Sequence, residues 1–103
     1  NFKLYKKVST LIKLKDLVYE IENKINPDVI MLYGSASKGE DVEDSDLDLF
    51  IIAKEKPINL ERFEKELNRK IHIIFENSLK RVSKEFLNNL INGIVLYGYL
   101  KVF

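Results

Sequence analysis

Tyr33-Gly34-Ser35-Ala36-Ser37-Lys38-Gly39-Glu40-Asp41-Val42-Glu43-Asp44-Ser45-Asp46-Leu47-Asp48-Leu49-Phe50 is the stretch on which the reading of this chain turns. It begins at the end of an apolar run of strand length, 29–33, and finishes inside a second apolar segment, 47–53. Gly34 lets the backbone come close to a ligand with no side chain in the way. Residues 35–39 can start a short helix whose free N–H groups face back toward the strand end, which favours an anion such as phosphate. The Ser35 hydroxyl adds a donor at the same point. Beyond the turn, Asp46, Asp48 and Phe50 share one face of the second strand, and Leu47, Leu49 and Ile51 share the other. The two carboxylates then lie roughly 7 Å apart along the backbone. Like charges on one face oppose folding unless something neutralises them, and a divalent cation is the obvious neutraliser. Mg2+ is held by a few carboxylates together with phosphate oxygens. A phosphate-binding turn opposite an aspartate pair is therefore the minimum equipment for metal-assisted phosphoryl transfer.

Upstream of this stretch, Leu11, Leu14, Val18, Ile21 and Ile25 recur at steps of three and four, the spacing of one buried helical face. Ser9 or Thr10 is placed to cap that helix, and Asn26-Pro27-Asp28 to end it. Downstream, Pro57 breaks the second strand. Asn59 is expected to cap a second helix with Leu60, Phe63 and Leu67 inward, and Ile58 and Phe63 have the spacing of a hydrophobic staple. Residues 71–75 read as a third strand. Ser83 is expected to cap a last helix, with Val82 and Leu87 as its staple and Leu90 and Ile91 continuing its inner face. Gly93 is placed to end that helix in the left-handed conformation, and 94–97 to form a final short strand. Helices alternating with strands through short loops imply an α+β domain, a small mixed sheet with helices packed on it.

Composition sets the outer limits. A chain of 103 residues, 46% of them hydrophobic, supports one domain with a real core. The absence of cysteine excludes disulfides and thiolate metal sites and fits the cytoplasm, the expected location. No apolar run approaches the ~20 residues of a membrane span, so no membrane role is expected. The net charge of +1, from 17 basic and 16 acidic side chains, implies no global attraction to nucleic acid, and direct nucleic-acid binding by this domain is not expected. The charges are nevertheless segregated. Lys3, Lys6, Lys7, Lys13 and Lys15 crowd residues 1–15 without an acid, while Glu40, Asp41, Glu43, Asp44, Asp46 and Asp48 crowd 40–48 without a base. The first residue is Asn1, and the opening segment reads like the middle of a helix or linker. The expectation is a single domain, 1–103, cut from a longer protein.

The spacing G-S-x3-G-x5-S-D-x-D, flanked by apolar residues, resembles the signature of the DNA polymerase beta-like nucleotidyltransferase superfamily, in particular its minimal archaeal and bacterial members. The resemblance is strong over 29–52 and agrees in element order over most of the chain. Ile91-Asn92-Gly93-Ile94-Val95-Leu96-Tyr97 is similar to the closing helix-glycine-strand of such domains. The resemblance implies that Gly34 and Ser35 hold the β- and γ-phosphates of a nucleoside triphosphate such as ATP, and that Asp46 and Asp48 ligate two Mg2+ ions. Gly39 would let the loop turn and Ser45 would position the second strand. Lys38 either meets a triphosphate oxygen or is a solvated lysine, and Glu40, Asp41, Glu43 and Asp44 solvate the loop. The implied reaction moves a nucleoside monophosphate onto an acceptor hydroxyl, with pyrophosphate leaving. Some minimal members are antitoxins that adenylylate a helical toxin, so a protein partner could supply the acceptor. A related archaeal arrangement joins such a domain to an N-terminal helix-turn-helix, in which case 1–15 would be the junction and nucleotide binding would tune DNA binding.

One departure from the family matters for catalysis. Active members carry a third carboxylate on a later strand, beside the first pair. The matching strand here is Lys70-Ile71-His72-Ile73-Ile74-Phe75, with no Asp or Glu from 67 to 75. A missing charge about 5 Å from a metal is worth roughly 3 kcal/mol per unit pair at an effective dielectric near 20, and a loss of that size slows a reaction more than about a hundredfold. Lys70, His72 and Glu76 are the candidates for the third position. His72 could be a base, a ligand or a hydrogen-bonded structural residue, although Mg2+ prefers oxygen. A catalytically weakened, nucleotide-binding regulatory domain is therefore the alternative to an active enzyme. Tyr97, Tyr99 and Phe103 could stack on a base, or pack against the first helix or a partner.

Overall fold

The computed structural model describes residues 2–34 and 46–98, with side chains from Ile12 onward. Its elements are α1 (Phe2–Ile25), β1 (Val29–Tyr33), β2 (Leu47–Ile52), α2 (Glu61–Leu67), β3 (Ile71–Glu76), a 3-10 turn at Leu79–Arg81, α3 (Lys84–Ile91) and β4 (Ile94–Gly98). One mixed sheet runs in the order β3-β2-β1-β4. β1 pairs antiparallel with both β2 and β4, and β2 pairs parallel with β3. A parallel pair needs a crossover, which α2 supplies. β1, Val-Ile-Met-Leu-Tyr, is apolar throughout because both of its faces are covered. The β3 edge alternates between covered and exposed positions.

Two cores of unequal size lie on the two faces. On one, Leu14, Leu17, Ile21 and Ile25 of α1 and Phe63 of α2 pack on Ile30, Leu32, Leu47, Leu49, Ile51 and Ile71. The alternation along β2 and the expected Leu14, Ile21 and Ile25 meet here, but Leu17 is fully buried where Val18 was expected. Val18 is only partly covered at the margin, and the side chain of Leu11 lies outside the described residues. On the other face α3 seats Leu90 over Val29, Met31 and Phe50, with Phe86 and Tyr33 packed at the margin. A carboxylate of α2 helps hold β3 in register: Ile71 N–H donates to Glu64 Oε2 at 2.9 Å.

Local expectations meet mixed outcomes. Ser83 does cap α3, its hydroxyl accepting from Phe86 N–H at 3.1 Å. Asn59 Oδ1 accepts from Glu61 N–H at 3.0 Å, although Leu60 is the N-cap residue. Ser9 and Thr10 lie inside α1, which already begins at Phe2, and not at its start. The segment before them contains no glycine or proline to stop the helix from propagating through it. Ile91 is 51% exposed where an inward position was expected. Leu90 takes the place over the sheet, and an eight-residue helix on this face has room for few such contacts. Gly93 lacks the left-handed φ; positive φ occurs instead at Asn26, which follows α1, and Asn68, which follows α2, and at Gly34 and Gly98. What Gly93 supplies is space, since a Cβ there would lie 2.5 Å from the Leu32 carbonyl oxygen.

Candidate functional site

The site is built where the cover given by α3 stops. Along β2 the side chains alternate between the two faces, so Asp46 and Asp48 emerge on the same side as Phe50. Phe50 is fully buried beneath α3, whereas Asp48 is half-buried and Asp46 is 43% exposed. The register Tyr33↔Asp48 places Asp48 beside the end of β1. Its carboxylate comes so close to Gly34 that a Cβ on that glycine, whose φ is +79°, would lie 2.7 Å from Asp48 Oδ2. The two halves of the glycine–aspartate motif, fourteen positions apart in sequence, are thus in contact range.

Across the parallel pairing, His72 stands directly opposite Asp48. Its Nε2 lies 2.7 Å from Asp46 Oδ2. Of the three candidates for a third functional group, His72 is the one that meets an aspartate. Lys70 lies just before β3, where its carbonyl accepts from Leu47 N–H. It lines a concavity of about 480 Å³ with Glu61, Glu64, Lys65, Asn68 and Arg69. Glu76 pairs with Ile52 at the other end of β3, about 13 Å from His72 at strand rise. Ser35, Lys38, Gly39 and Ser45 lie outside the described residues, as do Tyr99 and Phe103.

Electrostatics mark Asp48 as the strained member. Its carboxyl is raised above the ordinary value of 3.8, first by desolvation, against a lowering by His72, and further by the charge of Asp46. A carboxylate held in that way is ready to accept a cation. Raising an acid in the native state means the folded form holds the proton more tightly than the unfolded form, so this contribution to stability is fully favourable below the ordinary value. It is lost as pH rises through the raised native value. Asp48→Asn is therefore expected to make the metal-free chain somewhat more stable near neutral pH and to flatten the fall in stability above pH ~4. Urea unfolding at a series of pH values checks this, and an equal or lower midpoint for the variant would contradict it.

Tyr33, legible in the sequence only as a strand residue, is a neighbour of the site. Burial, and then the charge of Asp48, push its phenol up, and its ring meets Phe86 edge-on with centroids 5.1 Å apart. The available signal was its position directly before Gly34.

Gly34→Ala tests the same geometry. A methyl group at positive φ costs roughly 1–2 kcal/mol, and here it would also push on Asp48. The expected result is that loss in urea unfolding, together with cation binding weakened at least about tenfold (~1.4 kcal/mol) in calorimetry. Unchanged binding would mean that the contact between Gly34 and Asp48 has no part in the site.

Asp48 lies against Gly34 and Asp46 meets His72, but among the described residues no group of three acidic, histidine or cysteine side chains is placed to hold a metal ion. A partial donor set of this kind suits a divalent cation that completes its shell with substrate oxygens and water. In chemical terms, the residues fit such an ion.

The sequence model of the family described as "Polymerase beta, Nucleotidyltransferase" matches residues 13–100. Among solved structures, a toxin–antitoxin with AMP-PNP is similar with a TM-score of 0.60 at 20% identity, covering 84% of this chain and 73% of that one. A mutant of the toxin–antitoxin MntA-HpeT gives 0.59 at 16% identity, covering 82% and 71%. At such identities the likeness is one of fold. No curated protein matches by sequence.

Proposed function

The chain belongs to the polymerase beta nucleotidyltransferase family, and from that footing we propose that it transfers a nucleoside monophosphate from a nucleoside triphosphate to an acceptor hydroxyl. The observation that carries this reading is the contact range between Asp48 and Gly34, with Asp46 on the same face. In the reaction the acceptor oxygen bonds to the α-phosphorus, the bond from that phosphorus to the β-phosphate bridge breaks, and pyrophosphate leaves. Divalent cations, Mg2+ by family likeness, would neutralise the phosphate oxygens and favour attack by the hydroxyl. Asp46 and Asp48 would hold them. Gly34 leaves room for the triphosphate, and Ser35, Lys38, Gly39 and Ser45 would line its turn. Through its contact with Asp46, His72 fixes that carboxylate's orientation.

A hydroxyl on a protein partner is the proposed acceptor. The toxin–antitoxin assemblies that share this fold support the idea. Among the described residues no helix is long and apolar enough to cross a membrane, and the cysteine-free composition fits a cytoplasmic setting. One observation favours a second reading. The side chain facing the aspartates is an imidazole, where active relatives are expected to carry a carboxylate. A chain that binds nucleotide without turning it over would act as a regulatory domain, for an antitoxin or for a fused DNA-binding domain.

Release of labelled pyrophosphate from a nucleoside triphosphate, measured across a panel of acceptor proteins, tests the two. Release that depends on Asp46 and Asp48 is expected for the enzyme. Saturable binding without release across the panel would overturn it in favour of the regulatory domain.

A further inference from the structure

We propose that the free edge of β3 is the contact surface for a second copy of this chain, the two β3 strands pairing antiparallel about Ile74 so that both sheets become one. The inference is independent of the proposed reaction, although the pairing brings the partner's Glu76 to the rim of the candidate site.

The backbone is the starting point. β3 lies at one edge of the sheet, with β2 as its neighbour. Leu47 N–H donates to the Lys70 carbonyl and Ala53 N–H to the Glu76 carbonyl, so the even-numbered residues of β3 turn their N–H and C=O groups toward β2. The odd-numbered ones, Ile71, Ile73 and Phe75, turn theirs outward. Glu64 Oε2 takes the Ile71 N–H, and among the described residues nothing pairs with the outward groups of Ile73 and Phe75. Natural proteins blunt such edges with lysine, proline, a bulge or a covering element. β4, at the other edge, has a shifted register where it passes Ile30 and Met31. The segment Ile71-His72-Ile73-Ile74-Phe75 has no lysine or proline, and its register against β2 is unbroken. An apolar edge left in that state is a template for another strand.

A second β3 fits this edge in one register. With Ile74 opposite the partner's Ile74, Ile73 exchanges both backbone hydrogen bonds with the partner's Phe75, and Phe75 does the same with the partner's Ile73. Glu64 keeps its bond to Ile71. The Ile74 side chain, 38% exposed, meets its own copy across a two-fold axis with Cα atoms about 4.5 Å apart, the closer type of antiparallel pair. On the same face the partner's Glu76 stands opposite His72, and the long Lys70 side chain reaches it from the diagonal position, so opposite charges meet at each end. On the α2 face the partner's Phe75 comes beside Ile73, at a concavity of about 480 Å³ that Pro57, Ile58 and Leu60 help to line. A register centred on Ile73 would instead take the Ile71 N–H from Glu64 and set Ile74 against His72. The match of charge and backbone about Ile74 is what favours a second copy over an unrelated strand.

Sedimentation of the full chain tests this at about 0.1 mM, where a complex with a micromolar dissociation constant is largely formed. The wild-type chain is expected to sediment as a dimer. Ile74→Lys, which sets two ammonium groups face to face, should give a monomer with the wild-type circular dichroism. Glu76→Lys should weaken the dimer at least about tenfold, since like charges then meet at both ends. The chain has no cysteine, so Ile74→Cys supplies one thiol per copy. Mild oxidation is expected to link that variant into a covalent dimer, because Cα atoms at this separation suit a disulfide. Val95→Cys, exposed on β4 at the opposite edge, should stay unlinked. A monomeric wild-type chain, a dimer that both lysine variants leave intact, or linking through Val95→Cys as fast as through Ile74→Cys would overturn the proposal. Every readout is taken without nucleotide, so failure here leaves the nucleotidyltransferase reading to its own test.

Discussion

Asparagine at both Asp46 and Asp48 is expected to abolish the rise in melting temperature that a divalent cation and a nucleoside triphosphate give the wild-type chain. A ligand at a hundred times its dissociation constant stabilises the folded state by about 2.7 kcal/mol. For a domain of about 100 residues that corresponds to a rise of roughly 10 °C. Neutral amides cannot balance a dication and a polyphosphate on the exposed β2 face, so the gain should vanish, and any turnover should fall more than about a hundredfold. Two features protect this experiment from a trivial explanation. Neither aspartate is fully buried, and removing the desolvated charge of Asp48 is expected to stabilise the metal-free chain. A double variant that folds well yet ignores its ligands would therefore locate the binding in these carboxylates. If it kept the full thermal shift, the site would have to lie elsewhere.

Phe50→Ala should produce the largest loss of stability. Phe50 is fully buried and, with Val29, Met31 and Leu90, makes up the smaller core. Its ring meets Phe86 of α3 with centroids 5.7 Å apart. Truncating a buried phenylalanine costs about 3–5 kcal/mol, a large share of the 5–15 kcal/mol that holds a typical domain together. The melting temperature should fall by roughly 15 °C or more. Phe50→Leu should cost much less, because α3 can settle on a slightly smaller side chain. Phe50 is also two residues from Asp48 on the same face, so the Ala variant should lose ligand response along with the order of α3. Urea midpoints for the three chains decide the matter, and a cost below about 1 kcal/mol for the Ala variant would show that this layer contributes little.

The helical stripe of α1, the alternation along β2 and the Ser83 cap could be read locally, because each depends on residues within a turn or two of one another. Helix limits were less legible. Whether a serine caps or lies within a helix depends on what precedes it, and the stretch before Ser9 happens to be helix-competent. Gly93 shows a related ambiguity, since a glycine needed for close approach to Leu32 has the same sequence signal as one needed for left-handed φ.

By itself, the sequence determined that two aspartates share a strand face after a glycine-serine turn, since side-chain alternation is a property of the strand alone. It also determined that no carboxylate is available from 67 to 75. Tertiary structure alone decided which residue meets those aspartates. The choice among Lys70, His72 and Glu76 is set by the register of β3 against β2, and that register depends on how α2 crosses over and where Glu64 ties down Ile71. A shift of one residue would turn His72 to the opposite face, and nothing in the local sequence forbids that shift; only the packing of the assembled layers does.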